Sequence, residues 1–199
     1  IYLLDKKKSN INIAITDVLN DLRSDTLGQT SSITGRPSIP MPPSTTFARQ
    51  FAAQFAEVEV DLGTGQIKIL DFLCVQDSGK IINPQVMKNQ VIGGSICGSG
   101  FAIYEHLIFD PDTGAIKNAN LLDYKILRCG DFPYKAKVLF EEMPDPVGPF
   151  GARGAGESPI AAGISAVCQA VYNATGVWID MPMTPERVYT ELKKQNQIN

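Results

Sequence analysis

A glycine-rich loop near the end of the chain, residues 151–159, holds the residue types best suited to chemistry. Its sequence is Gly-Ala-Arg-Gly-Ala-Gly-Glu-Ser-Pro, with three glycines in six residues, which disfavours a helix or strand because glycine loses the most backbone entropy there. The loop delivers one carboxylate, Glu157, to a predicted helix that Ser158 can cap and Pro159 can begin. A carboxylate held in this way is well placed to act on a bound ligand.

The glycine spacing of the loop excludes two phosphate-binding motifs. The spacing Gly-x-x-Gly-x-Gly differs from the dinucleotide fingerprint Gly-x-Gly-x-x-Gly, and no Gly-Lys-Ser/Thr follows it, which excludes a P-loop. An acidic residue at a helix start often only complements the helix dipole. The pattern alone therefore leaves both a catalytic and a structural role open for Glu157.

A second glycine cluster, Gly-Gly-Ser-Ile-Cys-Gly-Ser-Gly at residues 93–100, lies inside a predicted helix from Pro84 to about Leu107. Glycine inside a helix costs roughly 1 kcal/mol relative to alanine. Four of them predict very close packing against another backbone or a ligand, and packing is the favoured alternative.

The elements that must position these segments follow from hydrophobic periodicity and turn signals. They predict an α+β fold in which helices pack on a mixed sheet, as one domain over 1–199. The predicted elements are a helix at 9–24, an irregular segment at 25–45, a hairpin at 46–75, an extended segment at 118–124, a strand at 138–142, a small-residue apolar helix at 158–175 and an amphipathic helix from 184 onward.

Composition excludes several classes of function. The chain has 199 residues, 44% of them hydrophobic and 20% charged, as in ordinary globular proteins. Its net charge of −3 gives no basic footprint for nucleic acid. No apolar stretch is long enough to cross a membrane. The chain begins at Ile1 without a methionine or the order of a signal peptide, so we expect a piece of a larger protein.

The four cysteines are far apart in the sequence and form no Cys-x-x-Cys pair. This argues against an iron–sulfur cluster or zinc site within the chain. We expect reduced, mostly buried thiols in a cytoplasmic protein. The single histidine, His106, is expected at the surface or a helix end rather than on a metal. The cysteines are Cys74, Cys97, Cys129 and Cys168.

The order of the motifs resembles the C-terminal part of the molybdopterin-binding subunit of the xanthine dehydrogenase/aldehyde oxidase family, bacterial xanthine dehydrogenases in particular. The resemblance runs from about Phe47 to Leu192. The motifs are Ala-Glu-Val-Glu-Val-Asp at 56–61, Asp-Ser-Gly-Lys-Ile-Ile-Asn-Pro at 77–84, Gln-Val-Ile-Gly-Gly at 90–94, Gly-Ser-Gly at 98–100, Asn-Leu-Leu-Asp-Tyr-Lys at 120–125, Pro-Asp-Pro-Val-Gly-Pro-Phe-Gly at 144–151 and Gly-Ala-Gly-Glu at 154–157.

The resemblance implies roles for particular residues. Glu157 would be the catalytic base beside molybdenum, taking a proton from a hydroxyl ligand whose oxygen attacks an electron-poor carbon. The amide of Gln90 would lie near the molybdopterin, although a solvated helix position is the alternative. Because the pterin dithiolene holds the molybdenum, no protein ligand to the metal is expected here. Four glycines would complete the cofactor-binding set: Gly93, Gly94, Gly154 and Gly156.

The resemblance also implies a substrate class and partners. A purine such as hypoxanthine or xanthine is the first expectation, and an aldehyde, nicotinate, carbon monoxide, an aromatic thioester or a non-catalytic scaffold role are the alternatives. Many relatives have Pro-Pro after the glutamate where this chain has Ser158 and Pro159, which bears on the substrate. Expected partners are the N-terminal remainder of the subunit, the iron–sulfur and flavin (FAD) domains or subunits, and a second copy of this chain.

Overall fold

The computed structural model describes residues 2–4, 12–14 and 49–195. The chain divides into two compact units, 1–43 and 44–199. In the first unit, strands β1 (Tyr2–Leu4) and β2 (Asn12–Ala14) pair antiparallel.

The helix predicted over 9–24 is wrong at Asn12–Ala14, which forms strand β2. Residues 11–15 read Ile-Asn-Ile-Ala-Ile, and this alternation of β-branched and small or polar residues fits a strand better than a helix. The rest of that predicted helix and the predicted irregular segment 25–45 lie outside the described residues. The assignment of the whole chain to one domain stays a prediction.

The second unit is built on a three-stranded sheet in the order β3-β4-β5. Strands β3 (Phe51–Val60) and β4 (Ile67–Asp77) form an antiparallel hairpin, which confirms the hairpin predicted at 46–75. Its turn is closed by the carboxylate of Asp61, which accepts the backbone N–H groups of Gly63 and Thr64 at 2.8 and 3.2 Å. Strand β5 (Lys137–Phe140) runs parallel to β4, so the sheet is mixed.

Three helices pack around this sheet: α1 (Pro84–Ile103), α2 (Ser158–Thr175) and α3 (Pro185–Lys194). Each has a proline in its first turn, where the missing N–H group costs nothing. The side chain of Asn83 caps α1 by accepting the N–H of Val86 at 3.1 Å. The bounds of α2 match the prediction, while α1 ends four residues before the predicted Leu107.

The prediction of an extended segment at 118–124 is wrong, because these residues form turns. The side chain of Asn120 accepts the backbone N–H groups of Leu122 and Asp123 at 2.9 and 3.1 Å. A short polar side chain that binds its own backbone in this way competes with strand pairing.

The hydrophobic core lies between the sheet and helices α1 and α2, which also pack against each other. These layers confirm the α+β class. None of the helices in the described ranges is long and apolar enough to span a membrane. The most deeply buried core side chains are Phe72, Cys74, Val91, Ile103, Val167, Val171, Val177, Met183, Val188 and Leu192.

Helices α1 and α2 approach each other closely where α1 carries glycine. A Cβ atom built on Gly94 would lie 2.8 Å from Cβ of Pro159, and one on Gly98 would overlap the carbonyl oxygen of Ile160. From the opposite side, a Cβ on Gly163 would lie 3.2 Å from the carbonyl oxygen of Ser95. The packing interpretation of the glycine cluster is therefore confirmed for Gly94 and Gly98, and the contact fixes the first turns of α2.

Replacing Gly98 with alanine should lower the free energy of unfolding by about 1–3 kcal/mol, the usual cost of overpacking. The matched control is Gly93→Ala in the same helix, because no atom lies within 4 Å of the added methyl group. That control should raise stability by up to about 1 kcal/mol, the difference in helix propensity. Urea unfolding of both variants, followed by circular dichroism, checks the pair. Equal stabilities would contradict the close helix contact.

Candidate active site

Glu157 is the residue immediately before the first turn of α2, with φ −106° and ψ −22°. Its side chain is exposed and makes no hydrogen bond or ion pair with the described residues, while its carbonyl oxygen accepts the N–H of Ile160 at 3.0 Å. The carboxylate is therefore free to act on a ligand, and its position is fixed only through the backbone that carries it.

Ser158 is the first helical residue and does not cap α2, so the predicted cap is wrong. Its hydroxyl oxygen lies 3.0 Å from Nε2 of Gln76, which is fully buried at the end of β4. The hydroxyl is therefore bonded to the end of β4 rather than to a backbone N–H group of the helix.

Gln90 on α1 reaches the glycine-rich loop, where its Nε2 donates to the carbonyl oxygen of Gly156 at 3.5 Å. Gly93 lies one helical turn beyond Gln90, on the same side of the helix. No atom lies within 4 Å of a Cβ built on Gly93 or Gly156, so both present open backbone. Gln90, Gly93, Gly156 and Glu157 thus come together, although they are distant in sequence.

Gln90 and Gly156 line a cleft of about 430 Å³, and Glu157 directly follows Gly156 in the chain. Its wall is largely apolar, with the exposed side chains of Ile82 and Val86 on one side and the glycine-rich loop on the other. Open backbone, one amide that can donate and accept, and one free carboxylate form a donor set suited to a large heterocyclic ligand.

The two remaining predicted cofactor residues face protein atoms. Gly94 is buried against Pro159, and a Cβ on Gly154 would lie 2.7 Å from Nε2 of Gln50. Their predicted role in cofactor binding stays a prediction. Both glycines allow close packing, Gly94 against the start of α2 and Gly154 within the loop.

Arg153, in the middle of the loop, is the site residue that the sequence did not reveal. Its side chain is only 11% exposed and forms ion pairs with Asp77 at 3.0 Å and Asp145 at 3.2 Å. Its guanidinium also donates to the carbonyl oxygens of Arg49 and Met143, at 2.6 and 2.8 Å. One side chain therefore fastens the loop to the end of β4 and to the segment that follows β5.

Backbone pairing reinforces this attachment. The N–H of Arg153 donates to the carbonyl oxygen of Ser78, and that of Lys80 donates to the carbonyl oxygen of Gly151, both at 2.8 Å. Gly79 and Gly151 have φ of 69° and 81°, in the left-handed region that favours glycine. The loop thus extends the end of β4 rather than standing free in solvent.

The charge of Asp145 is stabilised in the same cluster. Its carboxylate accepts the backbone N–H groups of Val147 and Gly148, at 2.8 and 2.7 Å. Those two N–H groups, with Arg153 beside them, hold the pKa of Asp145 below its usual value of 3.8. Ionised Asp145 is therefore the form that supports the loop.

No group of three or more histidine, cysteine, aspartate or glutamate side chains within the described ranges could hold a metal ion. All four cysteines are free. Cys74 and Cys168 are buried, which raises their thiol pKa, whereas Cys97 and Cys129 are exposed, so the prediction of mostly buried thiols is wrong for these two. His106 is exposed, as predicted.

With the site in place, comparison with known proteins identifies its class. The sequence profile of the molybdopterin cofactor-binding domain matches residues 17–133, more than half of the chain. The chain belongs to this family, and through its relatives to the xanthine dehydrogenase/aldehyde oxidase family of molybdenum enzymes. The resemblance drawn from the motifs is therefore confirmed, and molybdopterin is the cofactor of the family.

Three relatives show the range of substrates in this family. The putative xanthine dehydrogenase molybdenum-binding subunit of Escherichia coli K12 is 38% identical over 149 residues, covering 74% of this chain and 20% of the relative. The aldehyde oxidoreductase molybdenum-binding subunit of the same organism is 35% identical over 144 residues, covering 71% and 20%. The solved CO dehydrogenase from Oligotropha carboxidovorans superposes with a TM-score of 0.69 at 28% identity, covering 74% and 19%.

The chain spans about one fifth of the length of the curated relatives that it matches. Those relatives are named for xanthine and for aldehydes, and the solved structure for carbon monoxide. Family membership therefore defines an oxidoreductase class, and it leaves the substrate open.

Replacing Arg153 with methionine should destabilise the second unit by about 3–5 kcal/mol, because two buried carboxylates lose their cation. Thermal unfolding measured by calorimetry checks this value. Arg128→Met is the matched control, since the ion pair of Arg128 with Asp131 is solvent-exposed on the arginine side, and exposed pairs contribute about 0–1 kcal/mol. Similar losses of stability in the two variants would contradict a stabilising role for the buried ion pairs of Arg153.

The loss of stability caused by Arg153→Met should depend on pH. A depressed folded pKa means that ionised Asp145 contributes stability above its usual pKa, and that this contribution is lost as the pH falls through the lower folded value. The stability difference between wild type and Arg153→Met should therefore narrow below about pH 4. A constant difference down to about pH 2 would contradict the coupling of Arg153 to Asp145.

Proposed function

We propose that this chain is the C-terminal part of the catalytic domain of a molybdenum hydroxylase and that Glu157 is its general base. The observation that carries the proposal is a carboxylate with no hydrogen bond or ion pair to the described residues, directly after Gly156 in the lining of a largely apolar cleft, in a chain of this family. A general base must reach the proton that it removes, within about 2.6–3.2 Å between heavy atoms. A carboxylate that is already hydrogen-bonded to protein would be less available for that purpose.

The residues at the cleft fit the cofactor of the family. When bound, the molybdopterin cofactor supplies the two-electron oxidation that accompanies transfer of a water-derived oxygen to carbon. The exposed amide of Gln90 can donate to and accept from a polar heterocycle, and the open backbone at Gly93 and Gly156 allows a flat group to approach closely. Glu157 takes up the proton as the general base.

A purine, hypoxanthine or xanthine, is the proposed substrate. The support is the 38% identity to a putative xanthine dehydrogenase subunit, against 35% for an aldehyde oxidoreductase subunit. Because the identity to the aldehyde oxidoreductase subunit is only slightly lower, an aldehyde is the second candidate substrate. Assays of the full-length enzyme with xanthine and with an aromatic aldehyde separate the two by their kcat/KM values.

The proposed partners are the remainder of the same subunit and iron–sulfur and flavin subunits, in the cytoplasm. Exposed apolar side chains support a covering partner. Phe51 and Phe55 on β3 are 62% and 61% exposed, and Leu121 and Leu122 are 75% and 76% exposed. Apolar side chains gathered in this way are commonly covered by another chain or another part of the same protein.

The replacement Glu157→Gln in the full-length enzyme keeps the shape of the side chain and removes its basicity. We expect kcat to fall by at least the roughly 10²–10⁴-fold that general-base removal costs. Molybdenum content should stay unchanged, as measured by inductively coupled plasma mass spectrometry. Glu186→Gln is the matched control, because Glu186 is also an exposed glutamate at the start of a helix, but it lies in the first turn of α3 and not next to the lining of the cleft.

Turnover of Glu157→Gln within tenfold of wild type, at full molybdenum content, would reject the general-base role. A large loss in the Glu186→Gln control as well would assign the effect to helix stability instead.

The isolated 199-residue chain should carry no molybdenum and should self-associate. Comparable ligand sites enclose about 70–90% of the ligand surface, whereas the cleft here offers one wall. The exposed apolar side chains of β3 favour association with a second copy in the absence of other partners. Metal analysis together with light scattering checks both points. Stoichiometric molybdenum on a monomer would contradict the proposed division of the site.

A further inference from the structure

Gln76 connects the sheet to the residue that follows Glu157. It is the penultimate residue of β4 and its side chain is fully buried. Its Nε2 lies 3.0 Å from the hydroxyl oxygen of Ser158, 2.9 Å from that of Ser78 and 3.3 Å from the carbonyl oxygen of Asp77. The amide therefore joins the end of a central strand to the first helical residue of α2.

Stability alone gives a poor reason for this amide. The Oε1 atom of Gln76 is buried without a hydrogen-bond partner among the described residues. An unpaired buried oxygen costs free energy that an apolar side chain of similar size would avoid. What the amide contributes that methionine could not is the set of hydrogen bonds donated by Nε2, including the one to Ser158.

The start of α2 depends on such outside contacts because it lacks a side-chain cap. A second amide acts on the next residue: Nε2 of Gln54, on β3, donates to the carbonyl oxygen of Pro159 at 3.0 Å. Two neighbouring strands thus each provide one amide to two consecutive residues, Ser158 and Pro159. Glu157 directly precedes them, and no side chain in the described ranges bonds to its carboxylate and orients it.

We propose that Gln76 is a positioning residue, which acts through Ser158 to set the direction of the Glu157 carboxylate. The inference rests on the proposed function, in which Glu157 is the base. Its physical basis is that a misplacement of about 1 Å in a reacting group can cost on the order of 10²-fold in rate. Without the Gln76–Ser158 hydrogen bond, the first turn of α2 has fewer restraints where the base is attached.

The test uses the full-length, molybdenum-loaded enzyme and the variants Ser158→Ala, Gln76→Met and their combination. Each single variant should lower kcat by about 10–100-fold while KM stays within about twofold. The reason is that the carboxylate of the base is displaced, whereas the residues that line the cleft keep their positions. The double variant should lose no more than the worse single variant, because both changes remove the same hydrogen bond. Ser158→Ala keeps the test informative if Gln76→Met fails to fold.

Thr175→Val is the matched control at the other end of the same helix. The hydroxyl of Thr175 donates to the carbonyl oxygen of Val171 at 2.8 Å and accepts the N–H of Val177 at 3.2 Å. Its loss should lower the Tm without changing kcat by more than about twofold, because Thr175 lies at the far end of α2 from Glu157.

A second readout does not depend on activity. The N–H of Ile160 donates to the carbonyl oxygen of Glu157, so its hydrogen exchange reports on the first turn of α2. Peptides covering residues 156–161 should exchange at least several-fold faster in Ser158→Ala and Gln76→Met than in wild type, and at the wild-type rate in Thr175→Val.

Three results would overturn the proposal. One is additive losses of kcat in the double variant, and another is unchanged exchange at 156–161 in both single variants. The third is a loss of kcat in Thr175→Val as large as that in Ser158→Ala, since the role would then be structural. If Glu157→Gln abolishes turnover while Ser158→Ala and Gln76→Met retain it, only the positioning role fails. If Glu157→Gln retains turnover, the general-base role and the positioning role fail together.

Discussion

The close contact between helices α1 and α2 is the constraint on which the site depends. Gly94 and Gly98 remove the side chains that would separate the two backbones, and Pro159 and Ile160 fill the space. Because the helices touch at this point, the start of α2 lies beside the exposed face of α1 that carries Gln90. The open backbone of Gly156 then borders the cleft that Gln90 also lines. Each glycine cluster contains packed glycines, Gly94 and Gly98 in α1 and Gly154 in the loop, and an open one, Gly93 or Gly156.

A buried charge cluster completes what the helix contact begins. Arg153 balances two carboxylates of nearly buried side chains, Asp77 and Asp145, and ties the loop to elements on either side of it. A buried ion cluster is a weak source of net stability, but removing one partner is costly, which makes the arrangement specific. The loop gains a fixed path from this cluster, and its glycines can still present bare backbone to a ligand. Rigidity and access are thus supplied by different residues of one loop.

The sequence predicted the elements whose signals are local. The hairpin follows from the Asp-Leu-Gly-Thr-Gly turn with alternating flanks, and α2 from its proline start and its run of small and apolar residues. The predictions at Asn12–Ala14 and at 118–124 were wrong because another local signal was stronger. At Asn12–Ala14 it is the alternation of isoleucine along the sequence, and at 118–124 it is the hydrogen bonding of the Asn120 side chain to the backbone. Long-range partners could not be predicted, since Gln76 and Ser158 are 82 residues apart and Arg153 and Asp77 are 76 apart. Glu157 was singled out from the glycine-rich loop that leads into a helix, and Gln90 from motifs that resemble the family; the roles of both stay predictions.

The location of the metal in the full-length enzyme tests the central claim most directly. Anomalous scattering at the molybdenum edge would place the metal in a crystal of the loaded protein. The account predicts the metal at the cleft that Gln90 and Gly156 line, with the Glu157 carboxylate within about 2.6–3.2 Å of the oxygen from which it takes a proton. A metal on another face of the second unit, with Glu157 pointing to solvent, would contradict it.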